Sequence, residues 1–99
     1  MGVMVIMTTP GDTAQFEAFM AANPEKVNEI STSAKAGGST GHRFGIGDGQ
    51  IVTVDYWDSA EQFQAFIMSP ELQATMAEMG AQGEPVVTIW NAKGFPGEY

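Results

Sequence analysis

The chain has 99 residues, 43% of them apolar, which suits a single domain with a small core. Its net charge is −8 with only four lysines and arginines, so it lacks the basic surface that nucleic acid or an anionic membrane would require. It contains no cysteine, which excludes disulfides, thiolate metal sites and a cysteine nucleophile.

The first apolar run, Val3–Met7, is too short to span a membrane and has no basic segment before it. Met1-Gly2 opens like a myristoylation signal, but Ile6 stands where serine or threonine is needed. A cytoplasmic protein is expected. The run itself reads as a strand. Side chains alternate along a strand, so Met4 and Ile6 face away from Val3, Val5 and Met7, and both faces are apolar. Asp12 then suits an N-cap, with Gln15 at N3, for a helix whose Phe16, Phe19 and Met20 share one side. Asn23-Pro24 places a cap residue before a proline at N1, so the helix breaks and restarts with Val27 and Ile30.

Gly41–Ile46 and Gln50–Trp57 read as strands joined by Asp48-Gly49, the turn chemistry of a two-residue type I′ hairpin. That turn sets Ile46 opposite Ile51, Phe44 opposite Thr53 and His42 opposite Asp55. His42, Phe44, Ile51, Thr53, Asp55 and Trp57 then share one face. Arg43, Val52, Val54 and Tyr56 share the other, with gaps at Gly41 and Gly45. Asp58 and Glu61 have capping-box spacing for a helix carrying Phe63, Phe66 and Ile67. Ser69-Pro70 breaks that helix before Leu72, Met76 and Met79, and Val86–Asn91 is the last strand. Residues 1–93 are expected to form one domain and 94–99 a tail.

The two halves echo one another. QFEAF at 15–19 answers QFQAF at 62–66, and Asn23-Pro24-Glu25 answers Ser69-Pro70-Glu71. The element order βαββαβ argues for a ferredoxin-like α+β fold, with a four-stranded antiparallel sheet and two broken helices on one face. Two helices cover only one face. The other, apolar, face calls for a partner, and a homodimer packed sheet on sheet is the simplest cover. The echo aligns Val5 with Val52 and Met7 with Val54. It therefore places Arg43 and Tyr56 under the helices and His42 and Asp55 at the dimer face.

On this placement Arg43 and Tyr56 line a pocket with Phe16, Met20, Phe63, Phe66 and Met76 as its apolar wall. The same aromatics and methionines also serve as ordinary core. The His42–Asp55 pair has two readings. Asp55 orients His42 as a general base, or the two form a cross-strand ion pair that satisfies a polar patch. Gly45–Gly49 leads into a strand and not a helix, so it is no phosphate loop. Asp55, Asp58 and Glu61 have no histidine at ligand spacing, and no metal site is expected.

The stretch VDYWDSAEQFQAFIMSPELQATM, Val54 to Met76, resembles the dimeric α+β barrel superfamily, which includes antibiotic-biosynthesis monooxygenase-like domains and haem-degrading monooxygenases. Tyr56-Trp57, Asp58-Ser59, Phe63, Phe66 and Ser69-Pro70 carry the resemblance, in that order. It implies a dimeric barrel and, in the cofactor-independent branch, oxidation of aromatic substrates in a polar-lined pocket in each subunit. Arg43, Tyr56 and His42 are the residues available for such a pocket. The haem-degrading branch is similar in having an asparagine near the end of strand one, a tryptophan in the second helix and a histidine after the break. Here strand one ends Met7-Thr8-Thr9, and the other two positions hold Phe66 and Met76. Haem degradation is disfavoured and no cofactor is expected. The expectation is a homodimer that binds, and as an enzyme oxidises, a small hydrophobic or aromatic metabolite in an apolar pocket. The alternative is a non-catalytic barrel with a structural or ligand-sequestering role.

Overall fold

In the computed structural model, which describes residues 2–99, punctuation residues divide the chain into eight elements. They are β1 (Val3–Pro10), α1 (Thr13–Ala22), α2 (Pro24–Ala36), β2 (Ser39–Gly47), β3 (Gln50–Trp57), α3 (Ala60–Ile67), α4 (Pro70–Glu78) and β4 (Val86–Asn91). The strands form one antiparallel sheet in the order β2-β3-β1-β4, the ferredoxin-like arrangement. Both helical segments break at the expected prolines, because proline at N1 lacks the N–H that would continue the preceding helix. No helix among the described residues is long and apolar enough to cross a membrane.

The β2–β3 hairpin forms as its turn chemistry dictates. Asp48 and Gly49 both have positive φ, 51° and 71°, the backbone sense of a type I′ turn. Ile46 pairs with Ile51, Phe44 with Thr53 and His42 with Asp55. The ladder slips between Ser39 and Gly41, a bulge that ends the regular pairing at the far end of the hairpin.

The faces are the reverse of the sequence expectation. Ile51, Thr53, Asp55 and Trp57 are buried beneath the helices, whereas Tyr56 is 43% exposed on the outer face. The cause is the β1–β3 register, in which Val5 lies opposite Asp55 and Met7 opposite Thr53. Residues directly opposite in a sheet point the same way, so Val5 and Met7 bring Asp55 and Thr53 inward with them. The echo misled because the two halves agree in their helices but run out of phase in their strands. The residue 47 positions before Trp57 is Pro10, which is exposed, whereas Trp57 is 1% exposed.

The core is a cluster of Val5, Trp57 and Phe63, with Val3, Ala34, Phe66 and Ile67 packed against it. Trp57 meets Phe66 and Phe63 at ring-centroid distances of 5.2 and 5.9 Å. On the outer face Met4 lies between Tyr56 and Trp90, and Ile6 lies between Val54 and Thr88. Trp90 is 55% exposed there, so this face remains apolar and open to a partner.

The helix caps follow the sequence at Asp12 and Ser69 and depart from it at the starts of α2 and α3. Asp12 accepts from the Gln15 amide at 3.0 Å, and Ser69 accepts from Leu72 at 3.4 Å. The cap of α3 is Ser59, not Asp58: its hydroxyl accepts from the Gln62 amide at 3.2 Å and donates to the Gln62 side chain at 2.9 Å. β3 runs through Trp57 with Asp58 following it, which moves the helix start one residue on. At the other break, the Asn23 amide side chain makes no cap and donates back to the Phe19 carbonyl at 3.0 Å. Ser59→Ala should cost about 1 kcal/mol in urea unfolding, the usual loss for a cap. Asp58→Ala should cost clearly less, and the opposite order would contradict the assignment.

Candidate functional site

Sheet and helices line a cavity of about 600 Å³ that is open to solvent on one side, well within the range of small-molecule sites. Its floor comes from the inner face of the sheet, through Met7, Thr9, Ile51, Thr53 and Asp55. Its walls come from Phe16 of α1, Phe63 and Phe66 of α3, and Leu72 and Met76 of α4. The remaining wall is α2, which contributes Val27, Ile30 and Ala34 from one side of the helix. None of the 13 residues of α2 is fully buried. An amphipathic helix ordinarily spends that stripe on a core; here the stripe faces the cavity.

His42 and Asp55 meet on this inner face. Asp55 is 7% exposed and accepts at both carboxylate oxygens. Oδ1 is bonded to His42 Nδ1, and Oδ2 accepts from Trp57 Nε1 at 3.2 Å. An indole nitrogen can only donate, and a carboxylate can only accept. Asp55 therefore takes a hydrogen from each neighbour, and the neutral His42 ring carries its proton on Nδ1. In that neutral form Nε2 has its lone pair free, and it has no hydrogen-bond partner among the described residues. Phe44 stands edge-on to the imidazole, with centroids 4.3 Å apart, and Phe16 packs on Phe44 at 5.4 Å. The ring is thus held by a carboxylate at one nitrogen and an aromatic at its edge. No buried side-chain nitrogen or oxygen among the described residues lacks a partner.

The residues singled out in the sequence divide accordingly. His42, Asp55, Phe16, Phe63, Phe66 and Met76 all line the cavity. Tyr56 does not: its strand position points it outward, beside the gap at Gly41, where an added Cβ would stand 3.3 Å from the Tyr56 ring. Met20 is likewise absent from the lining. Arg43 borders the cavity, but it pairs with Val54 on the outward alternation, and its Nη1 donates to the His42 carbonyl at 2.9 Å. Sequence reasoning missed Trp57 as the second partner of Asp55. The signal was the spacing Asp55-x-Trp57, because residues two apart on a strand share a face.

No family model matches the chain, and no curated protein matches it. Solved structures do. A monooxygenase from the gene ActVA-Orf6 of Streptomyces coelicolor, in complex with nanaomycin D, superposes with a TM-score of 0.64 at 17% identity, over 95% of this chain and 89% of that one. A dimeric ferredoxin-like protein from an uncultured marine organism gives 0.62 at 14% identity, over 94% and 90%. SnoaB, a cofactor-independent oxygenase from Streptomyces nogalater, gives 0.56 at 15% identity, over 97% and 96%. At these identities the likeness defines the fold. The chain has a ferredoxin-like α+β fold, as the resemblance of Val54–Met76 implied. Thr9, Phe66 and Met76 all line the cavity.

Two measurements check the Asp55 cluster. Nitrogen-15 NMR of the neutral imidazole should show the proton on Nδ1, and Asp55→Leu should abolish that preference. Trp57→Phe leaves a buried carboxylate oxygen without its donor and should cost roughly 1–3 kcal/mol beyond any packing loss.

Proposed function

We propose that the chain works as a homodimer, each subunit binding one hydrophobic, aromatic metabolite in the cavity and carrying out a cofactor-independent, monooxygenase-like oxidation of it. The observation that carries this reading is the apolar cavity with one oriented imidazole in its wall, the free Nε2 lone pair being its uncommitted base. Phe16, Phe63, Phe66 and Met76 hold the rings. His42 Nε2 takes a proton from an acidic O–H or C–H of the ligand, and Asp55 steadies the imidazolium that results. Trp57 keeps Asp55 in place. The ligand anion then adds dioxygen at carbon to give a hydroperoxide; its O–O bond breaks as that carbon loses its remaining hydrogen, leaving a carbonyl, and water departs with that hydrogen and the proton held by His42, so that the ligand itself supplies all four electrons. The Streptomyces coelicolor monooxygenase and SnoaB, which share the scaffold, support this reaction class.

Arg43 belongs at the border of the site and steadies the strand beside His42. Tyr56 has a different role from the one its sequence suggested. With Met4, Ile6, Val54 and Trp90 it forms the apolar outer face, and a second copy packed there removes that face from water. The dimeric ferredoxin-like neighbour supports this arrangement.

Sedimentation at micromolar protein should give the mass of two chains, and Trp90→Glu should shift it to one. A single-chain species in the unaltered protein would refute the dimer. With an aromatic substrate that is turned over, His42→Gln should lower kcat by about 10²–10⁴-fold, the usual contribution of a general base, with ligand binding retained. Undiminished turnover would remove His42 from the chemistry, and binding without turnover across an aromatic panel would favour a sequestering protein.

A further inference from the structure

We infer that the ligand of this cavity is an acid, whose carboxylate or similarly ionised oxygen seats against Lys35. The inference rests on the reading of the cavity as a ligand site and adds the charge class of the ligand. The chain carries twelve acidic and only four basic residues. Two of the four basic residues, Lys35 and Arg43, nonetheless line this cavity, while Asp55 is its only acidic lining residue. Both Asp55 oxygens are already taken, by His42 and Trp57. The local balance is therefore the opposite of the molecule's.

Of the two basic side chains at the cavity, Arg43 sits on the outward alternation of β2, and Lys35 is the one carried by a cavity wall. Lys26 pairs with Glu78 at 3.2 Å, and Arg43 donates to the His42 carbonyl at 2.9 Å. Lys93 lies beyond β4 and does not line the cavity. Lys35 has no carboxylate within 4.0 Å among the described residues. It lies in the last turn of α2, where a cation also complements the helix dipole. Asn28 and Ser31, seven and four residues earlier, line the cavity from the same side of the helix and offer neutral donors. The lining thus combines the aromatic rings of Phe63 and Phe66 with the cationic and hydroxyl groups of Lys35 and Ser31.

A matched set of probes tests this: 2-naphthoate, 2-naphthamide and 2-naphthylmethylammonium, which share a ring system and differ in charge. Calorimetry or ligand-observed NMR at low and physiological salt should show naphthoate binding at least tenfold tighter than the amide, with the ammonium weakest. Lys35→Met keeps the aliphatic stem on an exposed position and should bring acid and amide to within twofold of each other. Arg43→Gln should leave most of the preference in place. Equal binding of acid and amide, or an acid preference that survives Lys35→Met, overturns the inference while the cavity stands as a ligand site. A protein that takes up none of the three overturns both readings together.

Discussion

A two-residue turn decides which way every side chain of the hairpin points. Asp48 and Gly49, both at positive φ, join β2 to β3 with the handedness that the strand twist demands. Counting back from that turn in steps of two brings His42 opposite Asp55. Pairing of β3 with β1 then carries the same face across to Val5 and Met7. A slip of one residue would turn the imidazole out to the far side of the sheet and leave the Asp55 carboxylate and the Trp57 indole behind. The three groups thus come together through strand geometry and not through loops, which is the more exacting way to hold a site.

The same geometry limits how much core the protein can have. Its fully packed centre is one cluster around Val5, Trp57 and Phe63, at the end of the sheet where α3 crosses. Towards the other end the apolar side chains of α2 and α4 line a cavity. A chain of this size buries roughly 60–70% of its unfolded surface, so apolar area given to a cavity is a real fraction of its stability. Anything that binds the folded form alone adds stability by mass action. A ligand in the cavity and a second copy on the outer face would both do so.

Local signals in the sequence gave the architecture nearly complete. Pro24 and Pro70 break the helices where expected, and β3 and β4 have the boundaries that their branched and aromatic residues suggest. The hairpin register was legible in Asp48-Gly49 alone. What was not legible was the direction of the faces. The internal echo sets Val52 and Val54 beside Val5 and Met7 and so puts them inside. It fails because the two halves are out of phase in their strands, and the β1–β3 register brings Thr53 and Asp55 inward with Val5 and Met7 instead. The Ser59 cap was missed by one residue for a related reason: β3 runs to its very last aromatic before the chain turns. Lys35 gave no signal, since a lysine near a helix end is ordinary until the cavity beside it is seen.

The polarity of the sheet therefore makes sense only with both faces considered together. A lone sheet with helices on one side would keep its polar residues outside and its apolar ones within. This one buries Thr9, Thr53 and Asp55 beneath the helices and leaves Tyr56 and Trp90 outside. Burial of Asp55 is tolerable because an imidazole and an indole satisfy its two oxygens, while Thr9 and Thr53 line the cavity. The outer apolar groups become tolerable once covered. β3 belongs to both faces at every second residue, so a cover over Val54 and Tyr56 packs the backbone on either side of Asp55. Association and site geometry would then be properties of one strand: a partner on the outside would restrain the carboxylate that aims the imidazole on the inside.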